Sequence, residues 1–183
     1  MLIAKNSNAN AVQNILSKSF IANKSTKYTT KNLQILMRYA WEMGQASGAV
    51  FLSKCLHATV ITRHSWETTT TWHSLFWDVK LIFGGIGIFN LHKTIKRERL
   101  IKCHHPKKFI HIWFVGVLPQ SQQQGKGTQI LRQVLAFYKD QNLPFILETS
   151  NKKIIPTYLA LGFKHVATLD LGYELFIYKK THD

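Results

Sequence analysis

Residues 119–129 read PQSQQQGKGTQ, the most polar and glycine-rich loop in the second half of the chain. They follow the apolar stretch FIHIWFVGVL (109–118) and precede ILRQVLAFY (130–138). The apolar stretch predicts a β-strand buried on both faces. The spacing of Ile130, Leu131 and Val134 predicts an amphipathic helix. The three stretches together therefore predict a strand, a loop and a helix in succession.

The loop itself has the composition of an anion site. A helix start needs acceptors for its first N–H groups, usually Ser, Thr, Asp or Asn, and Gln122–Gln124 provide none of these. Gly125 and Gly127 permit positive φ and a close approach of the backbone to a ligand. The loop therefore predicts a phosphate held by backbone N–H groups and the helix dipole. Taken alone, the same residues are equally consistent with a polar loop that makes a tight turn.

Other elements follow from hydrophobic periodicity. MLIAK predicts a short first strand, and Gly116, inside its strand, predicts a bulge or a close backbone approach. Residues 71–100 predict one or two helices, interrupted by the glycines of GGIG (84–87), which we interpret as a kink rather than a phosphate loop. The remaining predictions are helices in 8–20, 31–45, 128–142 and 151–163 and strands in 49–53, 58–64, 144–150, 165–171 and 173–180.

Charge is the most extreme feature of the composition. The chain has 24 Lys and Arg against 9 Asp and Glu, a formal net charge of +15. Such an excess predicts attraction to nucleic acid, an anionic membrane or a phosphate-bearing cofactor. The densest part, residues 92–108, fits either a solvated basic helix or a contact for a phosphate backbone. Aromatic residues do not alternate with the basic ones there, which argues against a single-strand stacking platform.

Length and cysteine content limit the remaining choices. The 183 residues predict a single domain spanning 1–183. Two cysteines without a CxxC spacing fit a reducing compartment, and no stretch has the length of a membrane span, so we expect a cytoplasmic protein. The CHH run at Cys103–His105 lacks a partner pair, so no metal site is predicted.

Two segments, taken together, resemble a known superfamily. VGVLPQSQQQGKGTQIL (115–131) resembles the acetyl-CoA loop of the GNAT-type N-acetyltransferases, whose pattern is Arg or Gln, any two residues, Gly, any residue, then Gly or Ala. LETSNKKIIPTYLALGF (147–163) resembles their second signature, a strand, an Asn and a short helix with Tyr four residues before Gly-Phe. The resemblance covers residues 110–178 and is nearest to the puromycin acetyltransferase-like branch. Gln122 stands where Arg is often found, which leaves more of the phosphate binding to backbone amides.

The resemblance implies an α/β (α+β) fold, with a mixed sheet splayed between its fourth and fifth strands and helices on both faces. The pantetheine arm of acetyl-CoA would lie in the gap and hydrogen-bond to the backbone of Val115, Gly116 and Val117. An N–H near Val117 would also stabilise the oxyanion. Asn151 would bind the cofactor, although a turn residue is the alternative. The implied phosphate loop consists of Gln122, Gln123, Gln124, Gly125, Lys126 and Gly127.

The resemblance also implies the catalytic groups. Tyr158 would be the general acid that protonates the departing thiolate; without the resemblance, a core tyrosine is the better interpretation. A carboxylate on a central strand makes Glu148 the candidate base, with a structural ion pair as an equal alternative. His111 is a second, weaker candidate base.

Two functions remain open from the sequence. The first is an acetyl-CoA-dependent N-acetyltransferase that acts on a primary amine, most simply a small molecule, with no specific nucleic acid and no membrane as partner. The alternative is a nucleic-acid-binding module on the same fold, with lost or secondary activity, that uses residues 92–108 as its contact. The pair of motifs favours the enzyme over the composition-based alternative. The acceptor amine and the oligomeric state are not predicted.

Overall fold

The computed structural model describes residues 1–22, 30–67 and 91–181. The predicted helices of residues 71–100 lie outside this range except for the last part, which is helical from Leu91. The GGIG motif also lies outside it. In the described part of the chain, no helix is long and apolar enough to cross a membrane.

The helices and strands occur in the order that the sequence predicts. The elements are β1 (Leu2–Ile3), α1 (Ala9–Ala22), α2 (Thr30–Ser47), β2 (Gly48–Leu52), β3 (Ala58–His64), α3 (Leu91–Lys102), β4 (Ile110–Val117), α4 (Lys126–Phe137), β5 (Phe145–Thr149), α5 (Ile155–Ala160), β6 (Lys164–Asp170) and β7 (Glu174–Lys180). The sheet order is β1-β2-β3-β4-β5-β7-β6. Strands β4 and β5 pair in parallel, and the other neighbouring strands pair antiparallel.

The gap between β4 and β5 is the feature that positions the site. The two strands pair only at Ile110 with Phe145 and at His111 with Ile146, although β4 continues to Val117. Beyond His111 the strands diverge. The predicted splay between the fourth and fifth strands is therefore confirmed.

Each face of the sheet packs against a different set of helices. On one face, the α4 face, Phe51, Val60 and Ile112 pack with residues of α4 and α5. On the other, the α1 face, Val50 and Ile61 pack with α1 and α2. Helices on both faces, as predicted, thus enclose the central strands, and the alternation of side chains along β2 and β3 explains which residue lies on which face.

Strand β4 contains a bulge, but not at the residue expected. The register shifts between Ile61 and Thr62, which pair with Phe114 and Ile112, so Trp113 is the additional residue. As a result Trp113 and Phe114 both pack on the α1 face. The expected bulge at Gly116 is wrong, and the alternative of a close approach there is correct. A Cβ on Gly116 would lie 2.9 Å from Leu16 Cδ2 and 3.3 Å from Leu16 Cα, so the close neighbour is helix α1.

Candidate active site

The loop between β4 and α4 has an open helix N-terminus. Gly125 is the N-cap of α4 with φ 72°, and no side chain caps the helix there. Gln123 also has positive φ, 60°. A Cβ built on Gly125 would meet no atom within 4 Å, so the space in front of the N-terminus is open. The first N–H groups of a helix have no acceptor within it, and this loop therefore fits an anionic group such as the diphosphate of coenzyme A.

Glutamine side chains brace this loop. Gln122 Nε2 donates to the carbonyl oxygen of Val117 at 3.1 Å. Gln124 Nε2 donates to the carbonyl oxygen of Gln120 at 2.8 Å. The amides of these two residues therefore hold the loop against the end of β4, and the anion-binding capacity resides in the backbone.

The end of β4 already has a side-chain partner from α1. The N–H of Val117 donates to Ser19 Oγ at 3.3 Å. Together with the bond from Gln122, this contact gives both backbone polar groups of Val117 an internal partner. The contact of Ser19 with Val117 could not be predicted from the sequence, because it joins residues 98 positions apart.

Tyr158 lies on the α4 face beside the gap. Its side chain is 6% exposed and belongs to the same apolar cluster as Val115 and Val117. Its ring packs against Phe163 and Tyr178, with centroids 6.0 and 6.3 Å away. Burial raises the pKa of Tyr158 to about 12. No residue in the described ranges forms a hydrogen bond with its hydroxyl, which is unusual for a buried tyrosine.

Glu148 lies on the opposite, α1 face, where two histidines hold it. His111 Nε2 is 2.7 Å from Glu148 Oε2, and His105 Nε2 is 2.8 Å from Oε1. The Glu148 side chain is 7% exposed. Because His111 is the last residue of β4 that pairs with β5, the His111–Glu148 bond joins the two strands where their backbone pairing ends. The three residues form what we call the His–Glu–His cluster.

The histidines determine the charge state of Glu148. Burial alone would raise the pKa of its carboxyl group, but the electrostatic effect of His111 and the hydrogen bonds from both histidines outweigh burial. The net result is a pKa well below the ordinary value of 4.5. Glu148 is therefore a carboxylate at neutral pH, with both oxygens occupied.

Two other candidate residues occupy the turn after β5. Asn151 Oδ1 accepts a hydrogen bond from the N–H of Lys153 at 3.1 Å, which caps the short 3-10 helix that follows. This leaves the Nδ2 group for any ligand contact. The Lys152 ammonium pairs with the Glu174 carboxylate. The charge of that lysine is therefore paired with an acidic residue of β7.

The sequence did not predict His105. It comes from the segment after α3, 43 residues before Glu148, in a run that drew attention only as a possible metal ligand set. Among the described residues, no group of three or more His, Cys, Asp or Glu is arranged to hold a metal ion. A His close to a predicted strand was the only available signal, and it does not identify a partner.

Comparison with known proteins agrees with this geometry. Residues 39–163 match the family model of the acetyltransferase (GNAT) family. No curated protein sequence matches the chain at a significant level. The other similarities are to solved structures and show the fold alone.

Three solved structures illustrate that similarity. A histone acetyltransferase HPA2 and related acetyltransferase from Corynebacterium glutamicum has a TM-score of 0.71 at 14% identity, over 100% of this chain and 95% of that one. Arylalkylamine N-acetyltransferase 2 from Aedes aegypti has 0.67 at 11% identity, over 100% and 98%. The C-terminal condensation domain of Ebony, in complex with beta-alanyl-dopamine, has 0.67 at 7% identity, over 98% and 97%. With the family model covering more than half of its length, this chain belongs to the acetyltransferase (GNAT) family.

Proposed function

We propose that this protein transfers the acetyl group of acetyl-CoA directly to a primary amine. The observation that carries the proposal is the splay of β4 from β5 directly beside the open N-terminus of α4. A gap between two strands accepts an extended arm, and an uncapped helix start accepts a diphosphate. Family membership supports an acyl-CoA-dependent N-acetyltransferase.

Acetyl-CoA supplies an activated acetyl group whose leaving group is a thiolate. The chain would hold its diphosphate with backbone N–H groups of Gln122–Gly127. Val115–Val117 would bind the pantetheine arm, and Asn151 Nδ2 is available for a further contact. For the Val117 N–H to face the ligand, the Ser19 hydroxyl must rotate away from it.

Tyr158 is the proposed general acid. Its hydroxyl has no partner among the described residues, and the apolar surroundings keep it protonated. Transfer of a proton from a phenol near pKa 12 to a thiolate near 8.5 is uphill by about 5 kcal/mol. Tyr158 therefore works best as a hydrogen-bond donor that releases its proton only as negative charge develops on sulfur.

A histidine of the His–Glu–His cluster is the proposed proton acceptor. The Glu148 carboxylate accepts at Nε2 of both rings, so a ring in its neutral form carries its proton there and has its lone pair on Nδ1. Glu148 itself is a weak base because of its lowered pKa. In this assignment Glu148 orients the rings, and Nδ1 of His111 or His105 takes the proton from the incoming ammonium.

The proton balance then closes on groups of this chain and solvent. The histidine takes the first proton from the ammonium. The free amine forms a C–N bond as the C–S bond breaks and passes its second proton to solvent, while Tyr158 gives its proton to the thiolate. Solvent restores the proton of Tyr158 and removes that of the histidine. Because Tyr158 and the His–Glu–His cluster lie on opposite faces of the sheet, acetyl-CoA and the amine enter from opposite sides of the gap.

The proposal is tested by amine-dependent thiol release. Purified protein is mixed with acetyl-CoA and a panel of amines that includes arylalkylamines, polyamines, amino acids and peptides. Free thiol is measured, and the acetylated product is identified by mass spectrometry. We expect thiol release that depends on at least one amine. The proposal would be contradicted if acetyl-CoA caused no thiol release with any amine and also did not increase the Tm.

A further inference from the structure

A line of positive side chains crosses the sheet on the α1 face. In the strand register, Arg63 pairs with His111, His111 with Ile146, Ile146 with Lys179, and Lys179 with Lys164. Paired residues on neighbouring strands point to the same face. The line therefore contains Arg63, His111, Lys179 and Lys164, which we call the basic row. It spans five strands, about 19 Å at the usual strand spacing.

Within the described chain, His111 is the one member of this row that bonds to a carboxylate, that of Glu148. Lys179 and Lys164 are direct cross-strand partners, an arrangement that destabilises a sheet by repulsion. Neither lysine, nor Arg63, forms an ion pair with a carboxylate of the described residues. Glu148 is the acid next to the row, and the two histidines occupy both of its oxygens. A bound anion would offset the repulsion.

The row runs past one of the proposed proton acceptors. His111, on the second of the five strands, also belongs to the His–Glu–His cluster. Exposed Lys107 and Lys108, in the segment just before β4, extend the positive surface beside it. Around a chain of net charge +15, a small free ammonium is repelled, whereas an amine attached to a polyanion is attracted.

We propose that the basic row is a docking surface for the phosphate backbone of a single nucleic-acid strand, and that this strand carries the acceptor amine to the His–Glu–His cluster. The delivery of the amine rests on the proposed acetyl transfer, whereas the docking does not. The row presents only charge to the ligand, so binding is independent of base sequence and weakens steeply with salt. A strand held along the row passes beside His111.

The test uses two charge-matched double variants. Lys107→Glu with Lys164→Glu, called the row variant, alters one residue of the row and one of the adjoining positive surface; Arg132→Glu with Lys139→Glu changes two exposed residues on or just after α4, on the opposite face, and lowers the net charge equally. Binding is measured by fluorescence anisotropy with a labelled short oligoribonucleotide. We expect the row variant to lose about tenfold or more in affinity and the control variant to remain near the parent at moderate salt. Lys164→Glu faces Lys179, so the Tm of the row variant should not fall.

Acetyl transfer to the same oligonucleotide, carrying a 3′-aminohexyl group, is compared with transfer to free hexylamine. We expect kcat/KM to be at least about tenfold higher for the oligonucleotide in the parent, with the advantage lost in the row variant. The proposed docking is overturned if both variants lose affinity equally or if the parent protein does not bind the oligonucleotide. If the oligonucleotide binds through the row but free hexylamine is acetylated faster than the attached amine, only the proposed delivery of the amine is overturned. If no amine reacts, the proposed function fails, while anisotropy still decides the docking.

Discussion

Tyr158 and the His–Glu–His cluster lie on either side of the same gap and differ in how completely their polar groups are satisfied. On the α4 face, the Tyr158 hydroxyl is surrounded by apolar side chains and has no hydrogen bond to any described residue. On the α1 face, both oxygens of Glu148 are bound by histidines at 2.7 and 2.8 Å. The Tyr158 hydroxyl can therefore still form a hydrogen bond, whereas the Glu148 carboxylate is already held in position by two.

This difference separates a reacting group from a positioning group. The Tyr158 hydroxyl has no partner among the described residues and can therefore form a hydrogen bond with a ligand. A carboxylate with two short hydrogen bonds has little capacity left for a substrate. Burial alone therefore does not distinguish a reacting residue from a positioning residue beside the gap. The hydrogen bonds already made by its side chain do.

Removal of the Tyr158 hydroxyl should have the largest effect. Tyr158→Phe keeps the ring contacts and should lower kcat by about 10² to 10⁴, with acetyl-CoA affinity nearly unchanged. Because the Tyr158 pKa is about 12, the parent should show no alkaline loss of kcat from this residue below about pH 12. Steady-state thiol release and calorimetric titration of acetyl-CoA check both points.

Tyr138→Phe is the matched control for this variant. The Tyr138 hydroxyl is also buried, but it hydrogen-bonds to Thr62 Oγ1 and His64 Nε2, each at 2.9 Å. Its removal should cost about 1 to 3 kcal/mol of stability and leave kcat within a few-fold. If Tyr158→Phe behaves like Tyr138→Phe, Tyr158 is a packing residue and the thiolate leaves unassisted.

Glu148→Gln should act mainly on stability. The change replaces a charged acceptor with a neutral amide, and we expect a loss of about 1.5 to 3 kcal/mol in the free energy of unfolding. Because the folded pKa of Glu148 is lowered, its stabilisation is fully present above the ordinary value of 4.5 and is lost as the pH falls toward the folded value. The difference between parent and variant should therefore shrink as the pH falls below about 5. Urea titrations from about pH 5 downward measure it, and a difference that grows over this range would refute the assignment.

Gly125→Val should remove acetyl-CoA binding. Gly125 has φ 72°, and a branched side chain would both strain this backbone and fill the open space before α4. Gly172 has φ 79° and equally open surroundings in the β6–β7 turn, so Gly172→Val carries the same strain at a distance from the loop. Both variants should lose about 1 to 2 kcal/mol of stability. Only Gly125→Val should lose the increase of Tm with acetyl-CoA; retention of that increase would place the diphosphate elsewhere.

Ser19→Ala should have the smallest effect, in the direction of tighter binding. It frees the Val117 N–H for the ligand, at a cost of about 1 kcal/mol in the stability of the empty protein, and should lower the Kd for acetyl-CoA by up to about tenfold. Ser17→Ala on the same helix is the control. Weaker binding by Ser19→Ala would show instead that the hydroxyl itself contacts the ligand.

The sequence predicted what depends on local pattern. The order of elements, the splay and the glycine loop follow from periodicity and from two motifs, each of which lies within about 17 consecutive residues. The contacts of Glu148 with His105 and of Val117 with Ser19 could not be predicted, because they join residues 43 and 98 positions apart and no periodicity encodes such a pair. The bulge at Trp113 was not predicted for a related reason. A bulge, in which two residues of one strand oppose one of the other, depends on the partner strand, whereas the bulge at Gly116 was predicted from residue type alone.

The divergence of β4 from β5 also creates an exposed strand edge in the middle of the sheet. Past His111, the β5-facing side of β4 has no strand to pair with in the described part of the chain, and unpaired edges are templates on which foreign strands add and aggregates grow. Outer edges of a sheet are usually protected by charge or by short strands, but an edge that must receive an extended ligand cannot be blocked permanently. Ser19 and Gln122 provide a reversible cover, each occupying one polar group of Val117. We expect these two contacts to lower the tendency of the ligand-free protein to self-associate.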